Sequence, residues 1–170
     1  MKIRYKITLL IIVLSLFIVG CSKSQESVVD TFLETEKDYI VGIKISDFET
    51  SAKINIFKNG DVRILYTDVN SPLFGMEERY NKNSITAQYD DVQWKFTEIL
   101  PQTSVIYEAI ALINSKKPIK ITKETLNGNA GMMYHYQSDN MTFSVFMIHK
   151  DNSIKRMEGK KENIAFEINF

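Results

Sequence analysis

From Tyr39 onward, apolar side chains recur at every second position, which constrains this chain more than any other feature. Tyr39, Val41, Ile43 and Ile45 alternate with Gly42, Lys44 and Ser46. Ile54 and Ile56 alternate with Lys53 and Asn55, and Val62, Ile64 and Tyr66 alternate with Asp61, Arg63 and Thr67. A period of two sends successive side chains to opposite faces of a strand. Each segment therefore predicts a strand buried on one face, as in an antiparallel meander. Asn59-Gly60 supplies a two-residue hairpin signal between the second and third strands.

The pattern breaks at Asn70-Ser71-Pro72 and resumes. Strands are expected around Met76 to Tyr80, over Ile85, Ala87 and Tyr89, and over Val92, Trp94 and Phe96, with turns at 81–83 and at Asp90-Asp91. Past Pro101 the period changes to that of a helix. Val105, Ile106, Ala109, Ile110 and Ile113 form one stripe between Thr103 and Ser115, with Thr103 or Ser104 as N-cap and Pro118 beyond the end. Strands follow at 119–122, over Met132, Tyr134 and Tyr136, over Phe143, Val145 and Met147, at 154–158, and over Ile164, Phe166, Ile168 and Phe170. Asn127-Gly128-Asn129 and 159–163 are the expected turns. The fold class expected is mainly β (α+β), with about 9–11 antiparallel strands.

The first residues are of another kind. Lys2, Arg4 and Lys6 precede an apolar run from Ile7 to Val19, then Gly20 and Cys21, the single cysteine. A basic start, a short apolar run and a small-residue cleavage site are the parts of a secretory signal. A membrane helix and a plain signal cut before an ordinary cysteine are the other readings. Against the first, the run is short of the roughly 20 apolar residues that a bilayer needs. Ile18-Val19-Gly20-Cys21 resembles the lipobox of bacterial lipoproteins. That resemblance implies a diacylglyceryl group on the Cys21 sulfur, cleavage between Gly20 and Cys21, and acylation of the new amino group. Two or three acyl chains at about 0.8 kcal/mol per buried CH₂ make a durable anchor. One cysteine in an exported chain also leaves no disulfide framework.

The expected organisation is a signal at 1–20, a lipidated Cys21 with a short tether at 21–26, and one domain at 27–170. Val28, Val29, Phe32 and Leu33 predict an amphipathic helix at its start, packed on the domain or lying on the membrane. The full chain carries 21 basic and 21 acidic residues. Removing the signal leaves a slightly acidic domain, which argues against nucleic acid as a partner and against a polybasic grip on lipid.

An N-terminal helix feeding a long meander, with one helix inserted after about six strands, resembles the LolA/LolB-like fold. The resemblance is closest to uncharacterised lipoproteins of clostridia and their relatives. It is carried by Ser71-Pro72-Leu73-Phe74-Gly75-Met76, by Ile85-Thr86-Ala87-Gln88-Tyr89-Asp90, and by the Leu100-Pro101 step into the helix. It implies a strongly curved half-barrel with the helix on the concave side, a face that carries lipid-modified proteins in some members.

Chemical motifs are sparse. His135 and His149 are the only histidines. No Cys, Asp or Glu at ligand spacing accompanies them, and no nucleophile elbow or phosphate loop is present. No metal, cofactor or enzymatic activity is expected. Glu77-Glu78 and Asp90-Asp91 read as solvated charge, and Met132, Met133, Met141, Met147 and Met157 as core filler rather than copper ligands. Trp94, Phe96, Met132, Tyr134, Tyr136, Phe143 and Val145 are the candidate lining of a hydrophobic pocket, set against an ordinary dry core. The sequence thus points to an extracytoplasmic, lipid-anchored membrane protein, in the outer membrane if the host has one. It is expected to bind a lipid or hydrophobic ligand. The alternative is an interaction or structural module with an unknown protein partner.

Overall fold

The computed structural model describes residues 37–82, 84–96, 104–148, 150 and 153–170. The signal, Cys21, the tether, the first amphipathic helix, Leu100-Pro101, Thr103 and His149 lie outside the described residues. The elements are β1 (Lys37–Ile45), β2 (Phe48–Ile56), β3 (Val62–Tyr66), β4 (Glu77–Asn81), β5 (Ser84–Tyr89), β6 (Val92–Phe96), α1 (Ser104–Ser115), β7 (Lys120–Leu126), β8 (Asn129–Gln137), β9 (Met141–Ile148), β10 (Ser153–Lys161) and β11 (Ile164–Asn169).

The strands form one antiparallel sheet in the order β6-β5-β4-β3-β2-β1-β11-β10-β9-β8-β7. The chain enters at the middle of the sheet on β1 and winds outward to β6. It crosses to the far edge through the segment containing α1, then winds back from β7 to β11 beside β1. Each step within a wing is a hairpin between neighbours. Among the described strands, only the β1–β11 pairing joins distant parts of the sequence, setting Gly42 against Asn169 and Ile45 against Phe166.

The sheet is curved rather than closed. One cause is a bulge in β10: Ile154 pairs with Met147 and Arg156 with Phe146, so Lys155 is extra. Ile154 and Met157 consequently both face the core. A second cause is close backbone approach at Gly159. A Cβ there would lie 2.3 Å from the Phe143 Cβ and 2.4 Å from the Thr142 carbonyl oxygen. Glycine alone fits this spacing, and β10 therefore runs on through Gly159 to Lys161 where the sequence suggested a turn. The real turn is Glu162-Asn163, with Glu162 at φ 52°.

The Asn59-Gly60 hairpin also differs from the two-residue form. The loop spans 57–61: the Gly60 N–H donates to the Phe57 carbonyl at 2.9 Å and the Phe57 N–H to the Asp61 carbonyl at 3.0 Å. Gly60 takes the left-handed position at φ 85°, while Asn59 holds the loop by accepting from the Asp61 N–H.

Alternation decides the core. Val41, Ile43, Ile45, Ala52, Ile54, Ile56, Val62 and Ile64 are buried on the concave face, with Phe166 and Ile168 from β11. α1 lays Val105, Ile106, Ala109, Ile110 and Ile113 against them, each at most 5% exposed. A Lys161–Glu108 ion pair at 2.6 Å ties the helix to β10. On the opposite face, Phe146 is buried in register with Met133, and its ring closes over Gly131.

Candidate functional site

The pocket candidates divide by their place in the sheet. Met132, Tyr134 and Tyr136 on β8 and Phe143 and Val145 on β9 lie side by side on the concave face, all at most 5% exposed. The register opposes Met132 with Met147, Tyr134 with Val145, and Tyr136 with Phe143. Tyr136 and Phe143 stack with centroids 5.0 Å apart, and Phe143 continues to Phe166 at 6.4 Å. Trp94 stands apart from this group, on edge strand β6 at the other end of the sheet order, and is 44% exposed. The Phe96 backbone extends β6; its side chain lies outside the described residues.

The aromatic face is buried but not wholly apolar. The Tyr134 hydroxyl is buried with no hydrogen-bond partner among the described residues, and burial pushes its pKa up. Burial also raises the pKa of Tyr39, which packs edge-on against Phe170 at 5.2 Å. Four clefts lined by described residues, of about 360 to 760 Å³, draw no residue from α1. One of about 760 Å³ lies at the β7–β8 hairpin beside Lys123, Glu124, Gly131 and Met132.

The group that sequence reasoning missed is Glu78. It is 1% exposed rather than solvated. Its carboxylate accepts hydrogen bonds from the Tyr80 hydroxyl at 2.7 Å and the Tyr66 hydroxyl at 3.2 Å. The signal was available: Glu78 stands in phase with Met76 and Tyr80, so the strand period carries it inward with them. Its neighbour Glu77 faces outward, where Arg63 and Arg79 would otherwise sit opposite each other as like charges. Glu77 pairs with both. Burial opposes its ionisation, but the two arginines outweigh that and hold its pKa below the usual carboxylate range. Tyr80 stacks on Tyr107 of α1 at 5.3 Å, so the buried carboxylate cluster touches the helix that fills the half-barrel. Burial, and secondarily the Asp61 carboxylate, pushes the Tyr107 pKa up.

The register connects this cluster to the surface. Ile64 opposes Glu78, Glu78 opposes Ala87, and Ala87 opposes Trp94. Opposed residues share a face, so Trp94 is a concave-face residue that the fold leaves half open. Tyr89 and Val92 oppose each other on the same face and are 45% and 52% exposed. The 67–76 loop adds Phe74 and Val69, also exposed, and passes Tyr89 closely enough that a Cβ on Gly75 would lie 3.7 Å from its ring. Adjacent exposed apolar side chains of this kind mark interaction surfaces more often than isolated ones do.

His135 lies on the convex face. Its Nδ1 is 2.8 Å from the Ser144 Oγ and its Nε2 3.1 Å from the Thr122 Oγ1. Among the described residues no group of three His, Cys, Asp or Glu converges on a metal position. No described helix is long and apolar enough to cross a membrane.

No protein-family model matches this chain, and no curated protein matches it in sequence. Solved structures do resemble it. An uncharacterised conserved protein from Thermus thermophilus superposes with a TM-score of 0.54 at 10% identity, over 84% of this chain and 80% of that one. LprF from Mycobacterium bovis gives a TM-score of 0.44 at 8% identity, over 84% and 89%. The Mycobacterium tuberculosis lipoprotein LppX gives 0.43 at 8% identity, over 86% and 94%. At these identities the first likeness concerns the fold, a half-barrel shared without shared sequence.

Proposed function

We propose that this protein is a lipid-anchored component of the cell envelope whose half-barrel binds a lipid or another hydrophobic ligand and catalyses no reaction. The anchor is Cys21, acylated after cleavage behind Gly20, and the domain at 27–170 stands close to the membrane on its short tether. The observation that carries the binding reading is the open rim of the concave face, where Tyr89, Val92 and Trp94 stay exposed while Ala87 and Glu78, inward of Trp94 in register, are buried. α1 fills the centre of that face. A ligand therefore enters at the β5–β6 rim, against Trp94, rather than into a ready cavity between helix and sheet.

Trp94 is the only tryptophan in the chain, so its emission reports on the rim directly. Titration with a fluorescent acyl probe should blue-shift that emission and transfer energy to the probe, and Trp94→Phe should preserve probe binding while removing the transfer. Native mass spectrometry should find co-purified lipid. Protein that carries no lipid, binds no acyl probe and shows unchanged Trp94 emission would end the reading. The second reading, a protein-interaction module, is favoured by the exposed Val92 and Trp94 on the edge strand β6.

A further inference from the structure

The two edges of the sheet are built differently. β7 is guarded in the usual way for an exposed edge, with Lys120, Lys123 and Glu124 all exposed along it. β6 ends the sheet at the other side and pairs only with β5 among the described residues. Its concave face carries Val92 and Trp94, half exposed, and its convex face carries Gln93 and Lys95. Lys95 is its one charge, and the exposed apolar pair beside it leaves this edge a template for another strand.

We propose that β6 pairs antiparallel with β6 of a second copy of this chain, around a two-fold axis at Gln93. The choice of partner comes from the order of side chains. In that register Gln93 faces Gln93, Val92 faces Trp94 of the other copy on the concave side, and Asp91, the turn residue that leads into β6, comes opposite Lys95 twice. The strand and its leading residue are together complementary to themselves in charge as well as polarity, as a two-fold contact requires. Opposite charges directly across a strand pair stabilise it. Neighbouring registers lose this match. Centring on Trp94 sets Lys95 against Gln93, and centring on Lys95 sets two lysines against each other. A shift of one residue would put apolar against polar faces. The pairing joins the two sheets with both concave rims on one side, so the two Trp94 positions border a single trough.

A lone strand pair buries less than the roughly 1,000 Å² of a durable interface, so the contact is best trapped covalently. Opposed residues on paired strands lie about 4.5–5.5 Å apart at Cα, within disulfide reach. The full chain carrying Gln93→Cys, oxidised in membranes from expressing cells, should give a disulfide-linked dimer. The unsubstituted chain, whose one thiol is Cys21, and a Lys123→Cys variant on the β7 edge should not.

Charge exchange then fixes the register. Lys95→Asp and Asp91→Lys, each added to Gln93→Cys, should each reduce the dimer about tenfold. Differently tagged copies of the two, expressed together, should recover it as a heterodimer. Gln93→Cys cross-linking no more than Lys123→Cys would overturn the pairing. So would a dimer indifferent to all charge combinations, or a cross-link joining the variant to a different protein or to none while Lys123→Cys dimerises.

Discussion

Glu78 offers the sharpest test of how the half-barrel is held together. Its carboxylate receives the Tyr80 hydroxyl at 2.7 Å and the Tyr66 hydroxyl at 3.2 Å, at 1% exposure. Each such bond contributes about 0.5–3 kcal/mol, the upper end applying to a charged acceptor. Glu78→Ala loses both, removes the shared acceptor from two tyrosines and leaves a void. A loss of about 3–5 kcal/mol follows, which for a domain of this size lowers Tm by about 6–20 °C. Glu78→Gln keeps the shape and one carbonyl acceptor and should lose less, about 1–3 kcal/mol. Urea denaturation of both variants measures the loss, and a double-mutant cycle with Tyr80→Phe isolates the 2.7 Å bond, with an expected coupling of about 0.5–3 kcal/mol. If Glu78→Ala unfolds within about 0.5 kcal/mol of the parent and the cycle shows no coupling, the carboxylate is not held by these hydroxyls and the buried cluster is not what ties β3 to β4.

Other consequences are equally direct. Gly159→Ala should destabilise by about 1–3 kcal/mol or more, because its Cβ has nowhere to go but into β9, whereas Gly42→Ala, with nothing within 4 Å of the new Cβ, should be neutral or mildly stabilising; comparing their urea midpoints checks both. Glu77 binds its proton less tightly when folded, so the unfolded chain takes up more protons as pH falls through the reference value of 4.5, and stability should be lost below it. Glu77→Gln should flatten that part of the stability–pH curve. At the alkaline end the sign reverses: the raised pKa of Tyr134 gives stability that is present below the ordinary tyrosine value of 10.0 and lost as pH rises above it, and Tyr134→Phe should reduce that loss in an ultraviolet titration against unfolding. Cys21→Ser should release the folded domain from the membrane; an unprocessed variant that stays with the membrane in carbonate would mean a membrane-spanning stretch instead.

The strand faces were legible because burial on one side leaves a period of two. Tyr134 and Tyr136 point inward as the pattern predicts, and so does Glu78, whose charge hid its register. Neighbour relations were less legible. Alternation tells which way a side chain points but not which strand lies beside it, and nothing local in β1 announces that it sits in mid-sheet against β11. Trp94 illustrates the cost: its alternation with Gln93 and Lys95 is that of a half-buried strand, but β6 lies at the margin, where α1 leaves its concave side open. Gly159 looked like a turn because a glycine among charged residues usually is one; the need for it arises from Phe143, its partner on the neighbouring strand β9. The lipobox-like residues 18–21 and the helix expected over Val28 to Leu33 fall outside the described residues.

The seam between β1 and β11 has a consequence for how the protein is made. Each wing consists of hairpins between consecutive strands, which form quickly because little chain entropy is spent in closing them. The two wings become one sheet only when β11 is available to lie against β1, and Phe170 then comes to rest against Tyr39. Until that strand has emerged, β1 is an open edge in the middle of an unfinished molecule. Under the export proposed above, this order of events delays the finished sheet: β11 is the latch that closes it against β1.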